Sequence, residues 1–206
     1  MKKTNRKQCG NITILVLLIA SIGVLVLTAI YEISYKFDFD TNLQNSADQT
    51  SRAAAYIFSK KYLKNIRECA KQEISYQLNN PIQYPKLATC NLIPANYVKE
   101  CLDKDLEGCS FDDCFELNKN PFEECQDGYK GAQSRLSAKG DAYQKARDVA
   151  HKHTTKLISL NININGAQIE TRVNVEANYQ QKTSSFFEKQ KVLEKETLAT
   201  TRLSSK

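Results

Sequence analysis

The chain of 206 residues has no tryptophan, one methionine and only two histidines, His151 and His153. That leaves little for imidazole-based metal binding or acid–base catalysis. Seven glycines, four prolines and an apolar share of 41% exclude a collagen-like or wholly disordered chain. No Gly-x-Ser-x-Gly, His-Glu-x-x-His or Cys-x-x-Cys occurs. The common hydrolase, metalloprotease and thiol-redox signatures are therefore missing. The length suits one compact domain with an appendage.

The net charge of +6 is unevenly distributed. Lys2, Lys3, Arg6 and Lys7 make a basic tip. Residues 90–128 carry a net −7, and residues 129–206 a net +7. An acidic middle between basic ends excludes a uniformly basic nucleic-acid binder. No nucleic-acid partner is expected.

Residues 12–30 read ITILVLLIASIGVLVLTAI, with no charge and 13 Leu, Ile or Val. As a helix this run is about 28 Å long, against a hydrocarbon core of roughly 30 Å. A soluble amphipathic helix would show polar residues every third or fourth position. A cleaved signal peptide has a shorter apolar stretch and a small-x-small site, and Ala29-Ile30-Tyr31 is a poor one. The expectation is a retained single-pass anchor over 12–31, with the bilayer as its partner. The cations ahead of it place residues 1–11 in the cytoplasm, and residues 32–206 outside the inner membrane. Tyr31 and Tyr35 suit the far interface.

Cysteine usage agrees with that topology. Cys9 lies on the cytoplasmic side, while Cys69, Cys90, Cys101, Cys109, Cys114 and Cys125 lie beyond the anchor. Six cysteines in an oxidising compartment imply three disulfides, with fifteen pairings open. The competing zinc reading lacks Cys-x-x-Cys spacing and has no His near the cluster.

Beyond the anchor, Leu43, Ala47, Ala54, Phe58, Tyr62, Ile66, Cys69 and Ile74 recur at helical spacing. They predict one long helix over 38–78, continuous with the anchor, ended by Asn79-Asn80-Pro81. Its narrow stripe admits two readings. It is core against the same chain, or an interaction face carried by Leu43, Ala47, Ala54 and Phe58. Residues 81–140 read as an irregular, acidic, cysteine-rich insertion braced by disulfides. Within it, Asp103-Lys104-Asp105-Leu106-Glu107-Gly108 starts like a calcium loop, but the twelfth position is Cys114 and not Glu. A solvated acidic loop is the better reading, and no metal site is expected.

A second helix is predicted over 141–153. Ala142, Ala146, Val149 and Ala150 share a face, Asp141 is its cap or first-turn acid, and the two histidines lie on the surface. Then Ile158, Leu160, Ile162 and Ile164 alternate with polar residues up to Asn165-Gly166. Ile169, Thr171, Val173, Val175 and Ala177 alternate beyond it. Period-two runs on both sides of Asn-Gly predict an antiparallel hairpin. A further strand from Phe186-Phe187 through Val192 towards Leu198 competes with a helix over 188–196. The fold class expected is α+β: single transmembrane helix, long amphipathic helix, disulfide-braced insertion, second helix, C-terminal antiparallel sheet.

Arg6-Lys7, Gly10, the single anchor, Leu43-Gln44-Asn45-Ser46-Ala47-Asp48 and Ala53-Ala54-Ala55 together resemble the start of TadG-like (TadE/TadG-like) proteins. These belong to the Flp, or tight-adherence, pilus-assembly system. Ala142 to Ala150 with the strands that follow, Phe186-Phe187 and Leu198-Ala199-Thr200-Thr201-Arg202 are similar to the family's continuation. Ser46 stands where the family has alanine. The D-x-S-x-S metal signature of larger relatives is absent, and so is the pilin-like Glu five residues after glycine, where Leu15 stands. The resemblance implies a non-enzymatic, membrane-anchored cell-envelope protein. It would assist pilus assembly through contacts with other pilus-assembly or envelope proteins. The alternative is an anchored sensing or ligand-binding module. Neither reading calls for a catalytic residue or a cofactor.

Overall fold

The computed structural model describes residues 6–80, 100–101, 103–104, 125–165, 168–181 and 189–202. Helix α1 spans Arg6–Asn79 and α2 spans Gly128–Lys152. Strands β1 (Lys156–Asn165), β2 (Gln168–Gln181) and β3 (Lys189–Arg202) follow. They form one antiparallel sheet in the order β1-β2-β3. The architecture is α+β, as the sequence predicts.

The 74 residues of α1 make a rod roughly 110 Å long at 1.5 Å per residue. The apolar run and the helix beyond it are one continuous element. From Ile12 to Ile30 the large apolar side chains are 51–69% exposed. From Leu43 onward one face is buried. Leu43, Phe58, Ile66 and Ile74 lie in the core, and Phe58 stacks on Tyr62 with centroids 5.6 Å apart. Full burial of a side chain such as Phe58 contributes about 1.5–3 kcal/mol.

α2 runs antiparallel to α1. Lys130 pairs with Glu73, Asp141 with Lys61, and His153 with Gln49, so chain order is opposite on the two helices. The seam on α2 is built from small residues: Gly131, Ser134, Ala138, Ala142, Ala146 and Ala150 are all buried. Spacings of three and four put them on one ridge, and their size lets the two backbones approach closely.

This overturns two expectations. The irregular insertion does not reach residue 140, because α2 begins at Gly128. Asp141 is no cap but a mid-helix residue whose carboxylate lies 3.3 Å from the Lys61 ammonium. The physical reason is the small-residue ridge, which buries a helical face without any large apolar side chain to announce it.

α2 closes in a Schellman motif. The Thr155 N–H reaches the Ala150 carbonyl and the Thr154 N–H the His151 carbonyl, each at 3.0 Å. Thr154 takes the left-handed position with φ 56°.

The sheet covers α1 with its apolar face. Ile169, Thr171, Val173, Val175 and Tyr179 of β2 are buried, as are Leu157 and Ile162 of β1. Ile164 pairs with Ile169 and Asn165 with Gln168. The hairpin is therefore centred between residues 166 and 167, and Asn165 belongs to the ladder instead of the turn; residues 166–167 lie outside the described residues. Ile158 is a second correction. The register shifts between Leu157 and Ser159, so Ile158 has no partner of its own. This bulge turns Leu157 inward and leaves Ile158 41% exposed. On β3 the described run is strand and not helix, with Val192 and Leu198 facing outward and half exposed. Phe186 and Phe187 lie outside the described residues.

Candidate functional site

The segment Leu43–Ser51 ties α1 to β3 and to the corner between α2 and β1. Leu43 and Ala47 enter the core, and the polar residues between them hold neighbours. The Asp48 carboxylate accepts from the Gln44 amide at 3.2 Å and from the Thr197 hydroxyl of β3 at 2.5 Å. The buried Ser46 and Thr155 hydroxyls meet at 2.8 Å. The His153 ring donates through Nε2 to the Gln49 side-chain carbonyl at 2.8 Å. One helical stretch thus fixes β3, the α2–β1 corner and the end of α2. Hydrogen bonds with a charged partner, such as Thr197 to Asp48, contribute about 1.5–3 kcal/mol each.

The second region lies where α1 leaves the domain. Tyr179, near the end of β2, packs against Tyr35 (centroids 5.6 Å) and edge-on to Phe39 (5.1 Å). Tyr35 therefore belongs to the junction with the sheet, while Tyr31 remains exposed. Burial pushes the Tyr179 phenol above its ordinary value, and Tyr35 and Glu32 push it further the same way. The Lys195 ammonium sits 3.1 Å from the Asp40 carboxylate. Below them opens a cavity of about 320 Å³ lined by Glu32, Ile33, Lys36, Tyr179, Lys191 and Leu193.

Of the six cysteines beyond the apolar run, Cys69 and Cys125 form a disulfide that ties α1 to the start of α2. Cys101 is also disulfide-bonded. Cys90, Cys109 and Cys114 lie outside the described residues, as does most of the calcium-like half-loop. Asp103 and Lys104 are described, and Lys104 pairs with Glu100. Among the described residues no group of three or more His, Cys, Asp or Glu could hold a metal ion. Leu43, Ala47, Ala54 and Phe58 all have exposures of 2% or less. Their side chains are taken up by the chain's own core. The sequence reading missed the junction cavity altogether, because its six lining residues come from two segments some 150 positions apart.

Fold and site together define a class: an α+β domain built directly on a helix whose N-terminal part fits a single-pass membrane anchor. That helix is the one element among the described residues long and apolar enough to cross a membrane. Residues 10–56 match the sequence model of the TadE/G-like Flp pilus-assembly family. The match takes in the whole apolar run and the Leu43–Ser51 clamp. Residues 141–203, where the resemblance was also read, lie beyond it. No curated protein and no solved structure matches the chain.

Proposed function

We propose that this protein is a non-enzymatic accessory of Flp-type pilus assembly, held in the inner membrane by residues 12–31. Its N-terminus is cytoplasmic and its domain from residue 32 onward lies outside. It acts through contacts with other pilus-assembly or envelope proteins. The observation that carries the reading is the family match over residues 10–56. It joins the anchor to the stretch of α1 that clamps the domain, so the segment likened to the family is also the one that sets the domain's position on the anchor. Continuity of α1 supports a mechanical role, because an unbroken helix holds a domain at a fixed distance and orientation from the bilayer.

The test is deletion in the parent cell, with complementation by the full chain. Loss of surface pili on deletion, restored by complementation, is expected. Pili unaffected by the deletion would count against the assembly role and favour the anchored sensing module. A reporter fused after Lys206 should be active only outside the cytoplasm, and reversing the charges of Lys2, Lys3, Arg6 and Lys7 should scramble that orientation.

A further inference from the structure

The junction cavity lies at a special depth. With residues 12–31 as the span, the helix covers a hydrocarbon core of roughly 30 Å. Glu32, Ile33 and Lys36 then fall within about 8 Å beyond its edge, at the level of the phospholipid headgroups. The cavity they share with Tyr179, Lys191 and Leu193 has a volume of about 320 Å³.

Its chemistry is not that of a core. On β3 the face turned towards α1 runs Lys191, Leu193, Lys195, with Lys191 directly opposite Tyr179. Lys195 is neutralised by Asp40. Among the described residues, Lys36 and Lys191 form no ion pair. The walls therefore offer two ammonium groups, one carboxylate, one phenol and the apolar side chains of Ile33 and Leu193.

We propose that this cavity is a headgroup site for a phospholipid bearing a primary ammonium. The phosphate diester lies between Lys36 and Lys191, and the headgroup ammonium donates to the Glu32 carboxylate. Ile33 and Leu193 meet the glycerol end of the acyl chains. A quaternary choline headgroup has no N–H to give Glu32, and a glycerol headgroup leaves Glu32 facing an uncompensated anion. The inference rests on reading residues 12–31 as the span.

The full-length protein in detergent micelles is offered phosphatidylethanolamine, phosphatidylglycerol or phosphatidylcholine, and retained lipid is counted by native mass spectrometry. Phosphatidylethanolamine should be retained over the other two by roughly fivefold, equivalent to about 1 kcal/mol, the size expected of partly solvated charge contacts. Glu32→Gln should abolish the preference, Lys36→Gln with Lys191→Gln should lower retention of all three lipids, and Lys152→Gln should change neither. Equal retention of the three lipids, a preference for phosphatidylglycerol, an undiminished preference in Glu32→Gln, or undiminished retention in the double lysine variant would each overturn the site. Carbonate extraction of membranes reads the span by itself. A chain that resists extraction yet shows no lipid preference refutes the headgroup site alone, and a chain that carbonate releases refutes the span beneath it.

Discussion

Ser46 and Thr155, 109 residues apart in the chain, join their hydroxyls in a buried hydrogen bond of 2.8 Å. The Thr155 hydroxyl gives its own proton to the Ala150 carbonyl at 2.9 Å. Ser46 must therefore be the donor between them. The pair welds the middle of α1 to the corner where α2 becomes β1. The two ends of the bond are not equivalent. Ser46→Ala removes one hydrogen bond and should cost about 0.5–1.5 kcal/mol. Thr155→Val removes two and strands the buried Ser46 hydroxyl, so it should cost more, roughly 2–3 kcal/mol. Urea unfolding of the two variants checks the order, and an equal or smaller loss for Thr155→Val would show that the donor assignment is wrong.

Thr154 offers a test in the opposite direction. It closes α2 with φ 56°, a conformation in which a β-branched residue is strained. Among the described residues its hydroxyl bonds only to the neighbouring His153 carbonyl, at 2.6 Å. Thr154→Gly should therefore stabilise the domain by about 1 kcal/mol, because glycine takes this position without steric penalty. The expected reading is a rise in the thermal midpoint.

The Cys69–Cys125 disulfide closes a loop of 56 residues. On the loop-entropy account, a closure of that length contributes roughly 4 kcal/mol, with engineered cases often delivering less. Replacing both cysteines with serine should lower stability by about 2–4 kcal/mol, and amide exchange should rise first at the start of α2. A peptide map made without reductant should recover residues 69 and 125 in one linked fragment. Recovery of either cysteine linked elsewhere would overturn this pairing.

Much of this fold was legible because large apolar residues mark their period. Leu43, Phe58, Ile66 and Ile74 announce α1, and the alternation from Ile169 to Val175 announces β2. The parts that were not legible share one cause, namely that the residues responsible carry little hydrophobic signal. Gly131, Ser134 and Ala138 bury the first half of α2, yet nothing in them looks apolar until the ridge is traced on to Ala150. The bulge at Ile158 leaves the composition of β1 unchanged while putting Leu157 in place of Ile158 on the buried face. Lys191 reads as a solvent residue by type, and only pairing with Tyr179 places it beside α1. Sequence distance hid the junction cavity in the same way.

Alkaline pH should loosen that junction. The Tyr179 phenol titrates above its ordinary value of 10.0, chiefly because it is buried. The folded protein holds that proton longer than the unfolded chain does. Its contribution to stability is therefore complete below about pH 10 and falls as pH rises through the elevated value. The Lys156 ammonium, raised through its hydrogen bond with Glu176, acts in the same direction at the same open end of the hairpin. Tyrosinate absorbance followed against pH should show a late phase from Tyr179. Tyr179→Phe should remove that late phase and part of the alkaline loss of stability. A late phase that survives the substitution would assign it to another tyrosine.

Gly131 and Gly140 of α2 should respond to alanine with opposite signs. In a helix interior, Gly→Ala ordinarily gains about 0.5–1 kcal/mol, since glycine gives up more backbone freedom on folding. Gly140 is exposed, and a Cβ there would meet nothing within 4 Å, so Gly140→Ala should show the full gain. At Gly131 the same atom would lie 2.1 Å from the Gln126 carbonyl oxygen and 2.4 Å from its carbon. Both are backbone atoms of the turn that carries Cys125, which is held in turn by the disulfide to Cys69. The turn cannot swing aside without dragging that link, so the clash outweighs the propensity gain. Gly131→Ala should then lose roughly 1–3 kcal/mol, the usual cost of overpacking. Paired thermal melts decide the matter. If Gly131→Ala gained stability as Gly140→Ala does, the chain entering α2 would have to lie farther from the helix than this close approach requires.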